Sequence, residues 1–164
     1  MTILTVERLR SLLAYDPETG IFTRLVRTSN TTRVGDVAGS LTPKGYQMIG
    51  IDWRSYQAHR LAWLYVYGEW PASELDHVDG NRANNSIGNL RLASRKENCF
   101  NQGKRQHNTS GFKGVSWHHG IGKWRARIAV ENGRRHLGYF DSPDAAGRAY
   151  EAAATKYHGA FAKT

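Results

Sequence analysis

Cysteine is almost absent from this chain: Cys99 stands alone. A single thiol excludes a disulfide framework and every zinc site built on several cysteines. Long apolar runs are also missing, so no segment reads as a membrane span. Met1–Arg10 lacks the basic-then-apolar layout of a secretory signal. These absences place the expected working compartment in a reducing cytoplasm. The Asn-x-Ser/Thr triplets at Asn30, Asn84 and Asn108 then carry no glycan.

Acidic residues thin out along the chain. Residues 1–103 hold 12 Lys/Arg against 10 Asp/Glu, a net of +2, whereas residues 104–164 hold 11 against 4, a net of +7. Together they make the formal charge of +9. A basic balance of this kind suits a polyanionic partner, and its asymmetry suggests a catalytic half and a gripping half. A length of 164 residues allows one ordinary domain or two small ones.

Hydrophobic periodicity predicts a short helix over Thr5–Ala14, with Leu9, Leu12 and Leu13 on one face. A turn at Asp16–Gly20 follows, then a strand at Ile21–Val26 and a polar loop over 27–36. A second strand at Gly45–Ile51 leads to a turn over Asp52–Ser55. The apolar spacing of Leu61, Trp63, Leu64 and Tyr67 predicts a helix over Ala58–Tyr67, ended by Trp70-Pro71. Glu74–Val78 reads as a strand, Asp79–Asn85 as a polar loop, and Asn89–Ala93 as the returning strand. Ser94-Arg95-Lys96-Glu97 is a capping box that opens a helix carrying Asn98.

Within this strand–loop–strand–helix run, Asp76 and His77 are adjacent. Asn89 follows His77 by twelve residues, and Asn98 comes nine later. A carboxylate, an imidazole and carboxamides together can hold one hard cation beside one general base, which suffices to break a phosphodiester bond. Asp79, Asn81, Asn84 and Asn85 read as loop-shaping residues. Counted as a calcium loop from Asp79, the fifth position is Ala83 and the twelfth is Leu90 rather than Glu, so that reading fails. His59 reads as core or packing. Gly120-Ile-Gly-Lys123 lacks the Ser/Thr that a phosphate loop requires.

The run Asp76-His-Val-Asp-Gly-Asn-Arg-Ala-Asn-Asn-Ser-Ile-Gly-Asn-Leu-Arg91 with Glu97-Asn98 resembles the HNH endonucleases, closest to the phage and intron homing branch whose third position is Asn. Ala58-His59-Arg60-Leu61-Ala62-Trp63 and Gly68-Glu69-Trp70-Pro71 extend the likeness. The resemblance implies a ββα-metal core in which Asp76 and the Asn98 side chain bind one divalent metal and His77 is the general base. Asn89 is then a structural brace that holds His77. Carboxylate and amide oxygens favour Mg²⁺ or Mn²⁺. A neutral imidazole, of pKa near ~6.5 in model peptides, suits a base near pH 7. The implied products carry a 5′-phosphate and a 3′-hydroxyl.

Gln102–Ser110 is polar and basic and reads as a linker. Beyond it, Gly114–His118, Lys123–Val130 and Arg134–Phe140 read as three strands, the last two joined at Glu131-Asn132-Gly133. In the middle strand Trp124, Ala126, Ile128 and Val130 alternate with Lys123, Arg125, Arg127 and Ala129, so one face is apolar and the other cationic. Trp117 and Trp124 read as core. Ser142 and Pro143 open a final helix with Ala146, Ala149, Ala153 and Tyr157 facing inward and Gly159 at its end.

Gly111-Phe-Lys-Gly-Val-Ser-Trp117, Gly122-Lys-Trp-Arg-Ala-Arg127, Leu137-Gly138-Tyr-Phe140 and the alanines at 145, 146, 149, 153 and 154 resemble the Apetala-two type domain of plant ethylene-response factors. That resemblance implies a sheet laid in the DNA major groove. By motif position the contacts are Lys113, Ser116, His118, Arg127, Ala129, Arg134 and His136, and strand alternation adds Arg125. Ser116, His118 and Ala129 replace plant arginines, so the plant recognition sequence does not carry over.

The fold class expected is α+β: a ββα-metal HNH nuclease core plus a small three-stranded antiparallel sheet packed on one helix. The expected division is a supporting α/β region over 1–55, the nuclease core over 56–103, a linker over 104–110 and the DNA-binding domain over 111–164. The expected activity is site-selective, metal-dependent cleavage of double-stranded DNA, a nick rather than a double cut, by a monomer or dimer that needs no membrane and no small-molecule cofactor. A DNA-binding regulator with an inactive core, or a nuclease acting on RNA or without sequence preference, are the other readings.

Overall fold

The computed structural model describes residues 3–104 and 107–162, and the chain forms two compact units, Met1–Ala93 and Ser94–Thr164. In the first unit α1 (Val6–Leu12) starts at Thr5, whose hydroxyl accepts from the Arg8 amide at 3.3 Å. The helix ends before Ala14, which instead pairs with Thr23 as β1 (Leu13–Tyr15) runs antiparallel to β2 (Phe22–Arg24). Burial explains the change. Leu9 and Leu12 are covered at helical spacing, whereas Leu13 and Tyr15 are covered at the period of a strand.

Three strands follow in the order β3 (Ser40–Leu41), β4 (Gln47–Ile51) and β5 (Arg54–Gln57), all antiparallel. β4 and β5 are joined by Asp52 and Trp53, both at positive φ (47° and 64°). This is the backbone of a tight two-residue hairpin made without glycine. α2 (Ala58–Tyr67) has the predicted limits. It stops at Gly68, at φ 79°, whose amide reaches the Leu64 carbonyl at 2.9 Å, ahead of Trp70-Pro71. Leu9, Leu13, Phe22, Ile49, Leu61 and Leu64 form the buried centre of this unit.

β6 (Glu74–His77) and β7 (Leu90–Ala93) make an antiparallel hairpin that anchors to this core through Leu90 and Ile87. Asn89, expected to open the returning strand, closes a 3₁₀ turn over Ile87–Asn89.

The second unit opens with α3 (Arg95–Asn101). Ser94 Oγ accepts from the Glu97 amide at 3.3 Å and Glu97 Oε2 accepts from the Ser94 amide at 2.7 Å, which completes the capping box. β8 (Val115–His118), β9 (Lys123–Val130) and β10 (Gly133–Phe140) form an antiparallel sheet in the order β10-β9-β8. The β9–β10 loop is Glu131–Asn132, with Gly133 at φ 126°.

α4 (Pro143–His158) packs on one face of that sheet. Its inward residues are Ala146, Gly147, Tyr150, Ala153, Ala154 and His158, while Ala149 is only half-buried, so the stripe is rotated from the expected one. Small residues permit close approach: a Cβ on Gly147 would lie 2.4 Å from the Phe112 ring. Trp117 falls on the apolar face, paired with Trp124, but at the sheet edge it is 40% exposed rather than core.

α3 belongs to this same packing. The Phe100 ring stacks on His158 at 4.0 Å, and Lys96 Nζ donates to the Glu131 carbonyl at 3.1 Å. Part of the expected linker, Arg105 and Gln106, lies outside the described residues. Asn108 and Ser110 within it are tied to the domain. Asn108 Nδ2 donates to the Phe112 carbonyl at 2.7 Å, and buried Ser110 Oγ donates to the Val115 carbonyl at 3.1 Å. The architecture is thus α+β, with several small antiparallel sheets and four α-helices among the described residues.

Candidate functional site

Asp76 and His77 occupy the end of β6, and both are buried. Antiparallel register sets Arg91 opposite Asp76. Its Nε and Nη2 donate to Asp76 Oδ2 at 2.9 and 2.7 Å. Charge-assisted bonds of this length hold the carboxylate in one orientation.

His77 sits among rings and amides. Its Nε2 lies 3.3 Å from Asn85 Oδ1, and His59 meets it edge-on at 5.0 Å between centroids. Burial pushes the His77 pKa below the ordinary histidine value, and the Arg82 charge adds to this. The bond to Asn85 and the Asp79 and Asp76 charges oppose it without reversing it. The ring is therefore neutral at pH 7, as a proton acceptor must be. Burial lowers His59 further, to about 3, with His77 and Arg60 contributing. Its Nδ1 has no hydrogen-bond partner among the described residues, in keeping with the expected packing role.

Asn89 ties down the loop after His77. Its Oδ1 accepts from the Asp79 amide at 3.0 Å, and its Nδ2 donates to Asp79 Oδ1 and to the Asn84 carbonyl, both at 2.9 Å. The contact to His77, however, comes from Asn85. Asn85 is fully buried, donates from Nδ2 to Gln47 Oε1 at 3.2 Å and to the Ala83 carbonyl at 3.1 Å, and takes the Tyr15 hydroxyl on its own carbonyl at 2.8 Å. Among several loop asparagines, only its burial singles it out, and burial is a tertiary property.

Asn98 lies in α3, half-buried, with its amide on the Ser94 carbonyl at 3.0 Å. It belongs to the second unit, whereas Asp76, His77 and Asn89 belong to the first. No group of three or more His, Cys, Asp or Glu side chains converges among the described residues. The Asp76 carboxylate and the Asn98 carboxamide each offer oxygen, so the donors that the resemblance implies are all oxygen. That set fits a hard divalent cation that keeps much of its water, and it does not fit a closed zinc cage.

The outward face of the C-terminal sheet gathers most of the predicted contact residues. Ser116 pairs with Arg125, His118 with Lys123, His136 with Arg127, and Arg134 with Ala129. Burial first, then the charges of Arg125 and Arg134, lower the Arg127 pKa, so three guanidinium groups crowd one surface. Lys113 is placed elsewhere. It precedes β8, its Nζ donates to the Phe100 carbonyl at 2.6 Å, and it lines a groove with Gly147, Tyr150 and Glu151 of α4.

Tyr139 joins the outward face instead. A bulge between His136 and Gly138 slips the register by one, so Tyr139 pairs with Arg125 and packs against both His118 (5.3 Å) and His136 (4.6 Å). Simple alternation from Arg134 puts it on the wrong face. Gly138, at φ 139°, is the local signal of the bulge.

The HNH endonuclease family model matches residues 56–99, the stretch that contains Asp76, His77, Asn89 and Asn98. The chain is 38% identical over 85 residues to Protein 3.8 of Escherichia phage T7, covering 51% of this chain and 69% of that protein. It is 33% identical over 93 residues to the AP2-like ethylene-responsive transcription factor CRL5 of Oryza sativa subsp. japonica, covering 56% of this chain and 13% of the plant protein. A solved structure of the HNH homing endonuclease I-HmuI is similar at a TM-score of 0.47 and 21% identity, over 96% of this chain and 91% of the other. The chain belongs to the HNH endonucleases and is a nuclease. The plant similarity supports an AP2-type domain. Among the described residues no helix is long and apolar enough to cross a membrane.

Proposed function

We propose that this nuclease is a site-selective homing-type enzyme that hydrolyses one phosphodiester bond of duplex DNA, nicking a strand to leave a 5′-phosphate and a 3′-hydroxyl. The observation that carries the reading is a buried, neutral His77 beside a buried Asp76 on one short hairpin. The basic sheet of the second unit supports a duplex partner.

In this reading His77 accepts a proton from the attacking water as its oxygen bonds to phosphorus. The bond to the 3′ oxygen breaks, and that oxygen takes a proton from solvent. Asp76 and, as the family resemblance implies, Asn98 would supply oxygen ligands to one Mg²⁺ or Mn²⁺, whose charge would stabilise the crowded phosphorane and the leaving oxygen. Arg91 fixes Asp76, and Asn89 fixes the loop after His77. Residues 56–103 form the functional nuclease core, and 111–164 position the substrate. His118, Arg125, Arg127, Arg134 and His136 meet DNA, with Tyr139 among them; Lys113, turned toward α3, is left out of that set. Base contacts would specify and phosphate contacts would position.

The test is cleavage of supercoiled plasmid and phage genomic DNA with Mg²⁺, Mn²⁺ or EDTA, comparing the wild type with His77→Ala and mapping the ends. Metal-dependent nicking lost in the variant, with DNA binding kept, is the expected result. Equal loss of binding would make His77 structural. Tight binding without cleavage by either protein would return the regulator reading.

A further inference from the structure

Gln47, Asn85 and His77 form a chain of side-chain hydrogen bonds anchored on two backbone carbonyls. Gln47 Nε2 donates to the Ala38 carbonyl at 2.8 Å, so its Oε1 is the atom that meets Asn85 Nδ2 at 3.2 Å. Asn85 Nδ2 donates a second time, to the Ala83 carbonyl at 3.1 Å. A carbonyl oxygen only accepts. Turning over either amide would therefore set oxygen against oxygen at Ala38 or at Ala83. Asn85 Oδ1 is left with one role toward His77 Nε2, 3.3 Å away: it accepts. An imidazole nitrogen that faces an acceptor must itself carry the proton.

We infer that Gln47 and Asn85 are positioning residues that hold His77 with Nε2 protonated and turned inward, so that Nδ1 is the nitrogen that accepts the proton from water. The inference rests on the proposed base role of His77. The surroundings oppose the reversed ring. His59 meets the His77 ring edge-on at 5.0 Å, and Tyr46 flanks it at 6.3 Å. Asn85 cannot drift, because it is fully buried and its backbone lies against Gly20, where an added Cβ would be 2.3 Å from the Asn85 carbonyl carbon. In water an imidazole exchanges its proton between both nitrogens; here the amide chain removes that freedom. An imidazole held by a partner that dictates its tautomer is a recurring requirement for general bases.

The experiment is nitrogen-15 NMR of the full chain with labelled histidine, the His77 signals being assigned by loss in His77→Ala. The wild type should show Nε2 bearing a proton that exchanges slowly with water and Nδ1 unprotonated. Asn85→Leu, of similar volume, should lose the slow proton and lower kcat by about ten- to a hundredfold with KM for DNA little changed. Gln47→Met, which does not touch His77, should lower kcat several-fold in the same pattern and remains informative if Asn85→Leu fails to fold. A wild-type ring protonated on Nδ1, or an unchanged kcat in both variants, would overturn the inference. Retained cutting by His77→Ala would instead overturn the base role, whatever the NMR shows.

Discussion

Replacing Arg91 by Met removes both donors from Asp76 Oδ2 and leaves a carboxylate that is only 4% exposed without its guanidinium. Removing one partner of a buried ion pair costs about 3–5 kcal/mol. The Arg91 side chain keeps 20% of its exposure, so solvent shares part of the stabilisation and about 2–4 kcal/mol is the appropriate range. For a compact unit of under a hundred residues that corresponds to a fall in Tm of roughly 10 °C or more. The assay is thermal unfolding followed by circular dichroism, with urea unfolding in parallel. A companion variant sharpens it: Asp76→Leu with Arg91→Met replaces the whole pair by apolar groups and should recover most of the lost stability, because no charge is left buried alone. Both variants should fail to cut. A Tm change within about 1 °C for Arg91→Met, or a double variant no more stable than the single one, would refute the account of Asp76 as a carboxylate held by its cross-strand arginine.

His59 should make the protein sensitive to acid. Its folded-state pKa is lowered to about 3 by burial, so below the unfolded value of ~6.5 the unfolded chain binds a proton that the folded chain does not. Stability is present above that value and falls by about 1.4 kcal/mol per pH unit as pH drops toward 3; His59→Leu should flatten the profile between pH 6 and 4.5 in urea titrations. Burial lowers the pKa of His77, so more of the ring stays neutral in mildly acidic buffer than in a free imidazole; cutting should persist there, and a sharp loss of rate between pH 7.5 and 6.5 would contradict it. On the sheet, Arg125→Ala with Arg127→Ala should weaken DNA binding and reduce the slope of log K against log salt by about 2, measured by fluorescence anisotropy. An unchanged slope would remove those residues from the interface. Gly147→Ala should destabilise the C-terminal unit, since the new Cβ meets the Phe112 ring, and a Tm equal to wild type would show that the ring can yield.

Local chemistry was legible where a residue's role is set by its neighbours in sequence. The Ser94–Glu97 capping box, the limits of α2 and the two-faced alternation of β9 all follow from spacing alone. The dense motif places Asp76 and His77 together at the end of β6 and Asn89 against the loop that follows them. What was not legible depends on distant partners. β3 and β5 are short and polar, and only the apolar β4 between them makes them strands. Asn85 acquires its role from Gln47, thirty-eight positions away, and from complete burial. Tyr139 faces outward because one extra residue in β10 resets the period, which no alternation rule anticipates. Lys113 shows the converse: a basic residue in a motif position that is spent on a helix carbonyl.

The two-sidedness of β9 has an evolutionary meaning. Ala126 and Ile128 are completely buried in the core beneath α4, while Arg125, Arg127 and Ala129 lie on the other side of the strand. Substitution at the outward positions can therefore alter the charge and shape of that surface without touching what keeps the unit folded. A lineage built on such a strand is free to change its outward face at little risk to its own integrity.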